Sequence, residues 1–80
     1  MSETEVRLAT LNMLSTLNGG AIALEVMADE LAHAAEMIGD DPAAEVLLGF
    51  ARRHRVRALE MRGQFAAMKE EYAARYHSEP

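Results

Sequence analysis

His54 is an ionisable side chain inside an otherwise apolar stripe, with Phe50, Ala58 and Met61 as its neighbours at helical spacing. An imidazole placed there must be hydrogen-bonded or metal-bound, because an unpaired polar group in an apolar setting loses its hydration without compensation. A second arrangement lies upstream. Glu30-Leu31-Ala32-His33 has the Glu-x-x-His spacing that sets a carboxylate and an imidazole one turn apart on a helix, the pattern used by carboxylate-bridged di-metal bundles. Glu25, Asp29 and Glu36 share that flank, so a partner helix could enclose a cluster of carboxylates with the imidazole. Against this stands a structural account, in which His54 is a core histidine satisfied by a carboxylate or water. Leu31 belongs to the apolar stripe, so Glu30 and His33 turn sideways or outward as a solvated face. The structural account leads. His54, Glu25, Glu30 and His33 are the ligand candidates of the alternative, a site for iron or another transition metal at a subunit interface.

Several chemistries are excluded or disfavoured by composition. The absence of cysteine removes disulfides, thiolate metal sites and cysteine nucleophiles. No glycine-rich phosphate loop, serine triad pattern or nucleotide fingerprint occurs, and no catalytic residue is assigned. Thirteen acidic against eight basic residues, net charge −5, disfavour a nucleic-acid binder. Arg52, Arg53, Arg55, Arg57 and Arg62 spread around their helix instead of forming a phosphate-binding patch. Met27, Met37, Met61 and Met68 sit at helical spacing, where methionine fills cores. The acidic start Met1-Ser2-Glu3-Thr4-Glu5 precedes no long apolar run, which argues against a secretory signal or a membrane span and points to the cytoplasm.

The elements that position these residues are two helices. Ser2 with Glu5 is a capping-box pattern that starts a helix at Glu3. Leu14, Leu17, Ala21, Leu24, Ala28, Leu31, Ala35 and Ile38 then recur by threes and fours on one stripe. Asn18-Gly19-Gly20 weakens the helix, but the stripe keeps its phase across the glycines, so a continuous or slightly kinked helix is expected. Gly39-Asp40-Asp41-Pro42 ends it: glycine suits a left-handed helix end, aspartate caps the next helix, and proline fits its first turn. The second stripe is Leu47, Phe50, His54, Ala58, Met61, Phe65, Met68 and Tyr72. Residues 1–80 therefore read as a single all-α domain, a long antiparallel hairpin with helices over about 3–38 and 43–76, a turn at 39–42 and a frayed end over His77-Ser78-Glu79-Pro80.

Folding back at the turn pairs positions whose numbers add to about 81 or 82. Small residues then meet large ones: Ala35 near Leu47, Ala28 near His54, Ala21 near Met61 and Ala58 near Leu24. Residues 1–40 carry seven acids and one arginine, while residues 41–80 carry six acids and seven bases. The pairing sets Arg57 opposite Glu25, and Arg52 and Arg53 beside Asp29 and Glu30. Tyr72 and Tyr76 are expected to close the open end. Away from the seam, Gly49, Val56, Gly63, Ala67 and Ala74 form a stripe of mainly small residues, and with Ile22, Val26 and Met37 beside the seam of the first helix they offer dimer contacts. A hairpin this small buries too little to be stable alone, so self-association into a four-helix bundle is expected.

The stretch from Leu11 to Met68 resembles half of a ferritin-like or rubrerythrin-like bundle, including uncharacterised bacterial members of that superfamily. The resemblance rests on Leu11-Asn12, on Leu17-Asn18-Gly19, on the Asp41-Pro42 turn, and on the segment Phe50-Ala51-Arg52-Arg53-His54-Arg55-Val56-Arg57-Ala58-Leu59. That last segment looks like the family's Glu-x-x-His helix, with His54 at the glutamate position and Arg57 at the histidine position. Arginine offers no free electron pair to a metal, so the family's oxidative di-iron chemistry is not carried over. The resemblance implies a half-bundle completed by a second subunit. The expected function is that of a non-catalytic homodimeric or higher-oligomeric interaction or scaffold protein, able to recognise another protein through its exposed ends or flanks, with a metal-binding bundle as the alternative.

Overall fold

The computed structural model describes residues 1–76, so the expected frayed end lies outside the described residues. Two helices account for the architecture: α1, Glu3–Ile38, and α2, Ala43–Tyr76. They fold back on one another as an all-α hairpin of 59 × 22 × 14 Å.

Each helix boundary has a local cause. The Glu5 amide donates to the Ser2 hydroxyl at 3.1 Å and the Ser2 amide to the Glu5 carboxylate at 2.8 Å, so the capping box is complete. Helix α1 runs unbroken through Asn18-Gly19-Gly20. It stops where Gly39 takes φ 61°, a conformation that costs glycine nothing and other residues a clash. Asp41 then accepts from the Ala43 amide at 2.9 Å, satisfying one of the free amides at the start of α2.

The buried core consists of Leu14, Leu17, Ala21, Ala28 and Ala35 on α1 and Ala44, Ala51 and Ala58 on α2. The alanines recur every seven residues on both helices, the spacing that keeps one seam facing a partner over many turns. Ala21, Ala28 and Ala51 are each 0 % exposed. Small side chains at the line of closest approach let the helices pack tightly, and larger ones are displaced to either side.

This corrects the seam expected from spacing. Phe50 and Ile38 belong to the expected stripes, yet they are 42 % and 41 % exposed, and Ala51 takes the central place on α2. A stripe of threes and fours contains both the seam and its neighbours, and packing selects the small residue for the centre. The expected ion pairs shift with it. Arg62, not Arg57, holds Glu25, and Arg55, not Arg52 or Arg53, reaches Asp29. Rotating the seam from Phe50 to Ala51 carries Arg55 and Arg62 to the acidic flank and Arg57 to the opposite one.

The register is visible in a close approach. A Cβ on Gly20 would lie 2.9 Å from the Met61 sulfur, so this glycine makes room for the thioether. At the open end Arg7 Nε donates to the Tyr72 hydroxyl at 2.8 Å and its guanidinium stands 5.2 Å from the Tyr76 ring centre. The tyrosine rings lie 4.8 Å apart, and Arg75 reaches Glu3 at 3.4 Å. Tyr72 and Tyr76 thus close this end by gripping α1 through an arginine.

Candidate functional site

The two flanks of the hairpin differ in kind. On one, Arg62 makes two 2.6 Å hydrogen bonds to the two oxygens of Glu25, and Arg55 meets Asp29 at 3.3 Å. The guanidinium fork matches the carboxylate, and this hydrogen bonding holds the Glu25 carboxyl below its ordinary pKa. Charges on this flank are satisfied within the chain.

The other flank is apolar and grooved. Gly20, Leu24, Phe50, Arg53, His54, Arg57 and Met61 line one groove, beside which Met27 is 44 % exposed. A second groove toward the open end is lined by Val6, Thr10, Met13, Leu17, Gln64, Met68 and Glu71, among others. Arg53 lies 4.6 Å from the Phe50 ring centre. Arg53 and Arg57 form no ion pair among the described residues.

The four metal-ligand candidates are dispersed within one chain. His54 is half-buried in the apolar groove, off the seam, and makes no hydrogen bond among the described residues. Glu25 lies on the opposite flank, engaged with Arg62. Glu30 is exposed, and so is His33, whose Nδ1 stands 4.0 Å from Glu36. No three histidine, aspartate or glutamate side chains gather into a metal-sized cluster among the described residues of a single chain.

At the open end the Tyr76 hydroxyl is closed off from solvent without a hydrogen bond of good geometry. Burial first, then the nearby Glu3 carboxylate, push its pKa up, while Tyr76 and Arg75 pull that of Glu3 down. This end serves structure, joining the N-terminus of α1 to the C-terminus of α2.

The large exposed apolar side chains are the feature that spacing left unresolved. Ile22, Val26, Met37 and Val56 are exposed on the outer surface, where a dimer stripe was expected. The flank bearing Met13, Met27 and Phe50 emerges only once the seam is centred on alanine. The heptad alanines Ala44, Ala51 and Ala58 were the signal that could have located it.

Comparison with known protein families, curated proteins and solved structures finds no match to this chain.

Proposed function

We propose that this hairpin is a non-catalytic interaction or scaffold protein of ferritin-like architecture, acting as a homodimer or higher oligomer in which two hairpins close a four-helix bundle. The observation that carries this reading is the surface the single chain leaves uncovered. Its accessible area is 5921 Å², whereas a compact monomer of this 8.8 kDa mass exposes about 4800 Å². The difference, about 1100 Å², is the extra surface of an elongated shape, and the exposed Met13, Met27, Phe50 and Val56 make part of it apolar. Among the described residues no large side chain is completely buried, so the hairpin has a seam but no interior. Sedimentation equilibrium at micromolar concentration is the test: twice the chain mass or more is expected, and a stable species of 8.8 kDa refutes the reading.

A metal-binding bundle, for iron or another transition metal, is the competing function. It is favoured by His54, which opens into the apolar groove with both ring nitrogens unengaged among the described residues. A covering subunit would have to satisfy that ring. Metal analysis of untagged protein separates the two, since stoichiometric metal lost on His54→Leu supports the bundle as a metal site.

A further inference from the structure

We propose that the apolar flank is the self-association face, and that the second copy lies on it turned end for end, with the two-fold axis near Gly20. The proposal rests on the oligomeric reading above and names the face and the arrangement.

The choice of flank follows from what each side has already satisfied. Covering the Glu25 and Arg55 side would strip water from ion pairs that gain no new partner, a desolvation cost without a matching return. The other flank offers apolar surface and the unpaired Arg53 and Arg57. The outer stripe around Val56 points away from the seam, whereas this flank lies beside it and extends the same core sideways.

The arrangement follows from helix geometry and charge. On α1 the residues one before each central seam position include Met13, Gly20 and Met27; on α2 the same side carries Arg53, Arg57 and Glu71. They point sideways toward whatever covers the flank. Gly20 lies near the middle of Glu3–Ile38, so a two-fold axis there overlaps the two hairpins along nearly their whole length. It sets Met13 of one copy against Met27 of the other. On α2 the same axis, level with Met61 and Arg62, brings Arg53 of one copy toward Glu71 of the other, two side chains without an ion-pair partner in their own chain among the described residues. With the turns at the same end, Arg57 would instead face Leu24 and Arg53 would face Met27. Both guanidinium groups would then be buried against apolar side chains.

Single-cysteine variants test this, because the natural chain has no cysteine to interfere. Met13 and Met27 are 48 % and 44 % exposed, so replacing either leaves the hairpin core intact. Under mild oxidation, a mixture of the Met13→Cys and Met27→Cys chains should yield disulfide-linked heterodimer. Each variant alone should yield at least tenfold less, because identical positions would lie about 21 Å apart along the bundle. Helicity is followed by circular dichroism, and Met27→Glu should weaken association at least tenfold where Val56→Glu leaves it unchanged. A wild type that sediments as a monomer removes the oligomeric reading itself. A dimer in which Met13→Cys links instead to Met68→Cys, or in which Val56→Glu alone dissociates the chains, overturns the arrangement or the face while leaving the dimer standing.

Discussion

Arg62 and Glu25 meet through paired 2.6 Å hydrogen bonds that tie α2 to α1 along one edge of the hairpin. The pair joins two helices across the chain, so its protonation state bears on whether the hairpin stays closed. Glu25 is held below its ordinary pKa by Arg62, Glu5 by the Ser2 cap, and Glu3 by Tyr76 and then by Arg75. Carboxyls depressed in the folded state contribute stability above their unfolded value, about 4.3 for glutamate, and lose it as the pH falls through the lower folded values. The melting temperature should therefore be level near neutrality and drop on acidification below about pH 4. Glu25→Gln should make that drop shallower, which thermal scans at several pH values will read.

The glycines of α1 should respond differently to alanine. Nothing lies within 4 Å of a Cβ on Gly19, so Gly19→Ala should stabilise by about 1 kcal/mol through helix propensity alone. At Gly20 the new methyl meets the Met61 sulfur at 2.9 Å and its methyl at 3.2 Å. The thioether must swing aside, and Gly20→Ala should gain clearly less than Gly19→Ala in urea unfolding. Equal gains would show that the Met61 contact carries no weight.

Central alanines should be intolerant of bulk. Ala51→Leu forces the helices apart at their closest line and should cost about 1–3 kcal/mol, although leucine is a good helix former. Ala74→Leu, at an exposed position of the same helix, should stay within about 0.5 kcal/mol. Chemical denaturation of both variants checks the contrast, and a reversed order would place the seam elsewhere.

For His54 the structural reading predicts tolerance. The ring is half-buried among Leu24, Phe50 and Met61 without a hydrogen bond among the described residues, so His54→Leu should preserve the fold and leave stability unchanged or slightly raised. Thermal scans with and without added transition metal provide the measurement. A stabilisation by metal that vanishes in the variant favours the metal-binding bundle.

The helices and their ends were legible in the chain because their causes are local. Ser2 and Glu5 bond within one turn, and Gly39 supplies a positive φ that few other residues tolerate. The antiparallel sense follows from the shortness of the turn, and the approximate register from matching small residues to large: Met61 is expected near Ala21 and stands against the adjacent Gly20. The rotation of each helix about its own axis was not legible. Neighbouring positions differ by about 100° around a helix, so the same apolar stripe can be centred on Phe50 or on Ala51. Only packing against the other helix decides, and it favours alanine, which permits the closest approach. That rotation determined the rest: which arginine meets Glu25, which flank closes with ion pairs, and that His54 opens into a groove beside the seam instead of sitting at its centre.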